Sequence, residues 1–263
     1  MDYVSLWPKP KLILTIMKSF KFLVGLVAVS VFSSCNFTED MYINNDGTGK
    51  FSVAMDASSL MAMAGKEVEK NPEANKVIDS TFSFKTLLAT KKDSISKLPK
   101  EEQERLKKLE NYTMSMKMNA KEGQMLFTMA ADFKNVTEIE DAMSSMSNIT
   151  STNGIDQSNP LAKAGGLPNN NSKLKYSYNG RKFSRKAILL PKKDVENDSL
   201  GEAYNMIYES STYTVKYHFP KKIKKVSAAG AVISDDKKSV TIEFPFMDYM
   251  KEPEKLNFEV EFE

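Results

Sequence analysis

Residues 112–119 read YTMSMKMN, and residues 124–133 read QMLFTMAADF. In both stretches apolar and polar side chains alternate, which is the period of a β-strand with one face in a hydrophobic core. A short polar segment ending at Gly123 separates them, so we predict an antiparallel hairpin. The side chains on its predicted apolar face are Tyr112, Met114, Met116, Met118, Met125, Phe127, Met129 and Phe133.

Strands of the same kind are predicted on both sides of this hairpin. Residues 41–45 and 50–56 are short extended runs, and the Asp46-Gly47-Thr48-Gly49 sequence between them favours a tight turn. The same alternation recurs in segments 174–178, 212–219 and 256–262. We therefore predict an α+β fold, in which a largely antiparallel sheet has helices packed on one face.

Helical signals lie between these strands. Asp56 is a predicted N-cap before residues 57–70, and Pro99 begins a charged helix. Asn135 precedes an amphipathic segment and is expected to cap a third helix. Residues 41–146 are thus predicted to form a β-β-α-rich part of the body.

A change of composition divides this body. Residues 147–172 are rich in Ser, Asn, Gly and Pro and lack periodicity, which predicts a flexible loop. Residues 173–263 return to alternating strands and are expected to form the β-rich part of the same body. With 263 residues in all, the chain is long enough to bury a substantial core.

Composition excludes several classes of site. The single Cys rules out a disulfide framework and a multi-cysteine metal centre, and the single His rules out a histidine-rich one. The net charge of +3 comes from residues 1–34, which hold four Lys and one Asp, so the rest carries 33 basic and 33 acidic residues. A neutral body with three Arg argues against a nucleic-acid partner.

The start of the chain has the design of an export signal. Residues 17–35 read MKSFKFLVGLVAVSVFSSC, with Lys18 and Lys21 before the apolar stretch 22–32 and two serines before Cys35. A positive start, a short apolar centre and small residues at the end are the three parts of a signal peptide. The apolar stretch is shorter than the roughly 20 residues that a membrane-spanning helix needs.

The sixteen residues before this unit suggest that translation begins at Met17, so that residues 1–34 are a leader and signal peptide. The alternative is an uncleaved transmembrane helix over residues 12–34, with Cys35 as an ordinary thiol. Two lysines would then lie within the membrane, where charge is costly. The cleaved signal peptide is therefore the favoured interpretation.

The segment Phe32-Ser33-Ser34-Cys35 resembles the lipobox of bacterial lipoproteins. The resemblance implies cleavage between Ser34 and Cys35, a diacylglycerol thioether on Cys35 and an N-acyl chain such as palmitate. Two or more acyl chains give stable membrane anchoring. Phe32, in place of the more usual Leu, is similar to the lipoboxes of Bacteroidota.

Residues 35–40 are then expected to form a lipidated tether. Its acidic Glu39-Asp40 pair resembles the surface-export signal of Bacteroidota lipoproteins, while a solvated tether explains the same residues without such a signal. The expected location is the cell envelope, lipid-anchored in the outer membrane. Both the periplasmic and the external side remain open at this point.

Two motifs in the body resemble LppM-like lipoprotein domains. The first is Asp46-Gly47-Thr48-Gly49-Lys50 followed by Asp56, and the second is the block 219–226 with the turn and strand at 234–244. The resemblance covers both ends of the body and implies the fold of that family. It also implies lipid binding, which has been suggested for the family.

Catalytic and metal chemistry are not expected. His218 has no Ser and Asp at the spacing of a catalytic triad, so we predict no catalytic residue. Met114-x-Met116-x-Met118 could supply thioether ligands for Cu(I), but three methionines on one strand face are more simply core residues. Asp46 and Asp235-Asp236 are explained by turns rather than by calcium. We therefore expect no metal and no cofactor.

The densest basic patch follows a strand near the C terminus. It is a candidate for contact with an anionic membrane surface, and the alternative is a solvated turn. Its residues are Lys221, Lys222, Lys224 and Lys225.

Together these features predict a non-enzymatic envelope lipoprotein, held in the membrane by the lipidated Cys35, that acts as an interaction or scaffold module for an envelope protein. The alternative is a carrier for a lipid or another apolar ligand, bound between the sheet and its helices. The side chains that would line such a cavity are Tyr112, Met116, Phe127, Tyr217 and Phe258.

Overall fold

The computed structural model describes residues 36–59, 61, 77–139, 172–190 and 208–263. The signal peptide, Cys35 and all but the last residue of the predicted flexible loop lie outside these ranges. The helices within them are α1 (Phe84–Thr90), α2 (Lys92–Ile95), α3 (Lys100–Lys108) and α4 (Phe246–Lys251).

The strands of the described residues belong to two sheets. They are β1 (Asn36–Ile43), β2 (Gly49–Asp56), β3 (Ile78–Ser83), β4 (Tyr112–Asn119), β5 (Gln124–Phe133), β6 (Ser172–Tyr178), β7 (Lys182–Leu189), β8 (Thr212–His218), β9 (Ile223–Val226), β10 (Val232–Ile233), β11 (Ser239–Pro245) and β12 (Phe258–Phe262). Sheet A has the order β10-β11-β8-β1-β2-β5-β4-β3, and sheet B has the order β6-β7-β12-β9. Neighbouring strands are antiparallel except for β1 and β8, which are parallel.

The hairpin predicted from residues 112–133 is confirmed. β4 and β5 pair with Tyr112 opposite Ala131 and Met118 opposite Met125. Gly123 ends the turn with a φ of 62°, a left-handed conformation that glycine adopts without strain. The inward side chains of both strands are buried except for Met116 and Ala131, which are half-buried.

The structure places residues 36–40 of the predicted tether in strand β1. Residues 36–40 are the first half of β1, and β1 lies in the interior of sheet A between β2 and β8. Phe37 and Glu39 are fully buried. The tether was inferred because these residues directly follow Cys35 and include the acidic Glu39-Asp40 pair. Glu39 also stands where an apolar residue would complete the alternation of a strand.

The core lies where sheet B and α4 cover one face of sheet A. The ring of Phe37 stacks on Phe246 of α4 at a centroid distance of 3.9 Å, and Tyr213 of β8 stacks on Tyr249 of α4 at 4.6 Å. Phe183 of β7 packs against Tyr217 of β8 at 5.3 Å. The α+β class and the largely antiparallel pairing are confirmed, whereas the division of the strands into two sheets was not predicted.

The predicted helices fall partly within the described residues. The charged helix after Pro99 is confirmed as α3. Asn135 accepts a hydrogen bond from the Thr137 amide at 2.9 Å and begins a 3₁₀ turn, but the rest of that predicted helix lies outside the described residues. The same is true of most of the predicted helix over residues 57–70.

Candidate functional site

The strongest concentration of chemically active side chains lies at the centre of the interface between the two sheets. Along β1, the side chains of Phe37, Glu39, Met41 and Ile43 point into this interface. Glu39 is the one charged residue among the four, and its exposed fraction is 0%. A carboxylate without water around it requires a counter-charge and hydrogen-bond donors.

Arg185 supplies that counter-charge from the opposite sheet. It lies on β7 with an exposed fraction of 1%, between Phe183 and Ala187 on the inward face of that strand. Its Nη2 donates to Glu39 Oε2 at 3.0 Å, and its Nε donates to Glu39 Oε1 at 3.3 Å. The guanidinium also donates from Nη1 to the Leu256 carbonyl at 3.1 Å. Such a two-point contact of guanidinium and carboxylate is both strong and geometrically specific.

Three tyrosine hydroxyls complete the shell around the Glu39 carboxylate. Tyr176 of β6 donates to Oε1 at 2.7 Å, and Tyr213 of β8 donates to Oε2 at 2.5 Å. Tyr217 of β8 donates a short hydrogen bond to Oε1. We call these five residues the Glu39 cluster: Glu39, Arg185, Tyr176, Tyr213 and Tyr217.

The electrostatics of the Glu39 cluster favour the ion pair. Burial acts to raise the pKa of the Glu39 carboxyl. The charge of Arg185 outweighs this effect, together with the hydrogen bonds from Arg185, Tyr213 and Tyr217. The pKa of Glu39 is therefore lower than its ordinary value. For Tyr217, burial and then the Glu39 charge raise the pKa of the hydroxyl. The cluster is therefore a carboxylate, a guanidinium and neutral phenols at neutral pH.

This arrangement holds the two sheets in register. Its members come from β1 and β8 in sheet A and from β6 and β7 in sheet B, and all five are buried. The carboxylate accepts five hydrogen bonds, and its burial leaves no atom exposed to a substrate. The chemistry of the cluster is recognition between two parts of the same chain.

Two charged positions in the sequence already indicate this cluster. Glu39 stands at an alternating apolar position between Phe37 and Met41, and Arg185 stands at such a position between Phe183 and Ala187. Two opposite charges, each within an otherwise apolar strand face, indicate a buried pair. Glu39 was instead predicted to lie in the lipidated tether, as part of an export signal or of a solvated segment, and no role was predicted for Arg185.

The opposite face of β1 carries a second acidic group. Asp40 Oδ1 lies 3.6 Å from His218 Nε2 on β8, and the ring of Tyr42 stacks on His218 at 4.0 Å. Burial raises the pKa of the Asp40 carboxyl, against the lowering effects of His218 and Lys216. Among the described residues, Asp40 Oδ1 is buried without a hydrogen-bond partner.

The structure describes only some of the residues predicted as sites from the sequence. Ser34 and Cys35 lie outside the described residues. The basic patch is exposed at all four positions: Lys221 and Lys222 lie between β8 and β9, and Lys224 and Lys225 lie on β9. Met114 and Met118 are buried core residues.

Two kinds of feature are absent from the described ranges. There, no group of three or more His, Cys, Asp or Glu side chains is arranged to hold a metal ion. Also in these parts of the chain, none of the helices has the length and apolar character needed to cross a membrane.

Comparisons with known proteins give one structural match. No family model matches the chain, and no curated protein matches it. The chain is similar to the folded domain of the Mycobacterium tuberculosis protein LppM, solved by NMR, with 8% identity and a TM-score of 0.36, over 87% of this chain and 89% of that one. At this identity and TM-score, the family resemblance stated from the sequence stays a prediction.

Proposed function

We propose that this protein is an envelope lipoprotein, anchored in a membrane by acyl chains on Cys35, whose two-sheet body is a non-enzymatic interaction module. The observation that carries the proposal is the sequence of residues 17–35, in which a positive start, a short apolar centre and two serines lead to the only Cys of the chain. These features are those of a signal peptide followed by a lipidation site.

The position of the first strand supports this assignment. β1 begins at Asn36, so a chain that is cleaved before Cys35 keeps every described element of the fold. A cleavage site further into the chain would remove part of an interior strand of sheet A. Cleavage directly before Cys35 is therefore compatible with an intact body.

Packing between the sheets supports an interaction module over a carrier. Phe183 lies 5.3 Å from both Tyr217 and Phe219, and Tyr217 lies 5.6 Å from Phe258, measured between ring centroids. Aromatic rings at these distances are in contact. Tyr217 and Phe258, two of the side chains considered as a cavity lining, therefore pack against other rings.

Metabolic labelling with radioactive palmitate in a bacterial host tests the anchor. We expect the wild-type protein to be labelled and the Cys35→Ser variant to remain unlabelled, because the serine hydroxyl does not form the thioether. The Ser34→Ala variant is the matched control, since it keeps a small residue before the cysteine and should be labelled. An unlabelled wild-type protein would contradict the proposal.

Native mass spectrometry separates the interaction module from the carrier. The protein is purified from its own host in mild detergent, and the mass of the released protein is compared with that of its acylated polypeptide. We expect no additional lipid beyond the covalent acyl chains. A stoichiometric, non-covalently bound lipid would instead establish the carrier.

A further inference from the structure

The proposed anchor and the start of β1 together restrict how the body can stand on a membrane. Cys35 is bonded directly to Asn36, and one trans peptide spans about 3.8 Å between Cα atoms. Asn36 is already a paired residue of sheet A, opposite Asp56 and Thr212. With no tether between the acylated residue and the sheet, the Asn36 end of the body lies next to the lipid.

Strand β7 brings a second segment to this same end. Phe183 contacts Tyr217, which pairs with Met41, and Arg185 binds Glu39, so β7 runs opposite to β1 across the interface. Asn36 is three positions from Glu39 along β1, and Ile188 is three positions from Arg185 along β7. At about 3.3 Å per strand residue, Ile188 is level with Asn36, and Leu190 is beyond it.

The end of β7 is unusually apolar for a surface. Ile188, Leu189 and Leu190 are consecutive, with exposed fractions of 41%, 53% and 45%. Three exposed apolar residues in a row are not expected in a chain that stays in water, and they mark an interaction site. Their place beside the attachment point indicates the lipid surface as the partner.

Lysines adjoin this apolar segment on the outward face of sheet B. Lys173 pairs with Ile188, and Lys175 pairs directly with Lys186. All three lysines are exposed. Lys186 lies 3.8 Å from Glu259 Oε1, whereas within the described ranges neither Lys173 nor Lys175 forms an ion pair. Like charges directly opposite each other destabilise an antiparallel pair. An anionic surface would relieve this repulsion and attract each lysine by about 1 kcal/mol.

We infer that the mature protein stands with its Asn36 end on the membrane and that a surface of β6 and β7 contacts the lipid. We call this the anchor-side surface, and it consists of Lys173, Lys175, Lys186, Ile188, Leu189 and Leu190. The inference rests on the proposed anchor at Cys35. Its partner is the anionic headgroup region and the acyl chains directly below it.

In this orientation, the basic patch predicted from the sequence does not contact the membrane. Tyr42 pairs with His218 at the other end of β1, six residues and about 20 Å from Asn36. Lys221 and Lys222 follow His218 after two residues, so they lie at the end of sheet A that faces away from the lipid. An orientation with these lysines on the membrane is incompatible with the anchor-side surface.

Site-specific fluorescence distinguishes the two orientations. The variants Leu189→Cys and Lys222→Cys are expressed as full chains, purified as lipoproteins and reconstituted into vesicles of phosphatidylethanolamine and phosphatidylglycerol. A thiol-reactive, polarity-sensitive fluorophore then labels the introduced cysteine, because the sulfur of a lipidated Cys35 is held in a thioether. Both positions are exposed, so neither substitution should affect folding.

Vesicles that contain lipids with a nitroxide on the acyl chain provide the measurement. We expect the label at position 189 to lose its emission by quenching and the label at position 222 to keep it. A lipidated protein whose label at position 189 is not quenched overturns the inference and leaves the anchor intact. A wild-type protein that takes up the fluorophore has a free Cys35 thiol, and that result overturns the anchor and the inference with it.

Discussion

Glu39 and Asp40 are neighbours on β1, but their carboxylates lie on opposite faces of the strand and in different surroundings. Glu39 points into the interface between the sheets, and Asp40 points to the outer face of sheet A. Burial acts to raise the pKa of both groups, yet the pKa of Glu39 is lowered and that of Asp40 is raised. Burial alone therefore does not decide the direction of the pKa shift on this strand.

The difference lies in the donors that surround each carboxylate. Glu39 accepts five hydrogen bonds, two of them from a guanidinium. Asp40 has a histidine at 3.6 Å, which is too long for a hydrogen bond. The inner carboxylate is thus part of the structure that joins the sheets, whereas the outer one is tolerated at the surface.

The largest effect is expected from Glu39→Gln. The substitution leaves the Arg185 guanidinium buried without a counter-charge, and breaking a buried pair in this way costs about 3–5 kcal/mol of unfolding free energy. Urea denaturation of the purified protein measures the loss. The double variant Glu39→Leu with Arg185→Met buries no charge. Its loss of unfolding free energy should be smaller than that of Glu39→Leu alone or of Arg185→Met alone. A Glu39→Gln protein as stable as the wild type would show that the pair contributes nothing.

A smaller effect is expected from Tyr176→Phe. This change removes the hydroxyl that donates to Glu39 Oε1 at 2.7 Å and keeps the ring. A hydrogen bond to a charged group contributes about 1.5–3 kcal/mol, so the unfolding free energy should fall by that amount. Tyr178→Phe, two residues further along β6 and only half-buried, is the matched control and should leave stability unchanged. Equal losses in both variants would mean that the cluster gains nothing from Tyr176.

The pH dependence of stability should carry opposite signs for the two carboxylates. The folded-state pKa of Glu39 is lowered, so its contribution is present above the unfolded value of about 4.3 and is lost as pH falls towards the folded pKa. The pKa of Asp40 is raised, so its contribution is present below about 3.9 and is lost as pH rises through the folded pKa. Urea unfolding of the wild type, Glu39→Gln and Asp40→Asn over this acid range measures each difference. Identical pH profiles for wild type and Glu39→Gln would contradict the lowered pKa.

The smallest effect is expected from Asp40→Asn at neutral pH. Because burial disfavours the ionised form of Asp40, a neutral amide should be tolerated, with a change of about 0.5 kcal/mol or less in either direction. Urea denaturation beside Glu39→Gln gives the direct contrast between the two faces of β1. A loss comparable to that of Glu39→Gln would show that the outer face also depends on its charge.

The sequence predicted those parts of the fold that depend on local patterns. The hairpin of β4 and β5 was found because its alternation is unbroken and Gly123 marks the turn. β1 was missed over its first half because Glu39 interrupts the apolar pattern. Sheet B was not predicted, since the alternation of β12 shows a strand but does not say that β7 and β9 are its partners.

The candidate site was harder to predict for the same reason. Glu39 and Arg185 are 146 residues apart, and each is a charged residue that by itself suggests solvent. Only the fold brings them to one point, with tyrosines from two further strands. Cys35 is the opposite case, because its predicted role depends on its immediate neighbours in the chain.

The parallel pairing of β1 with β8 has a consequence for the order of folding. Asn36 and Thr212 are hydrogen-bonded neighbours, yet they are 176 residues apart in the chain. In a protein exported from its N terminus, β1 emerges early, whereas β8 and the Tyr213 and Tyr217 hydroxyls emerge late. Contacts this distant slow folding, because a long loop must close before they form. For the proposed exported protein, the centre of sheet A is thus assembled only after the chain as far as His218 has crossed the membrane.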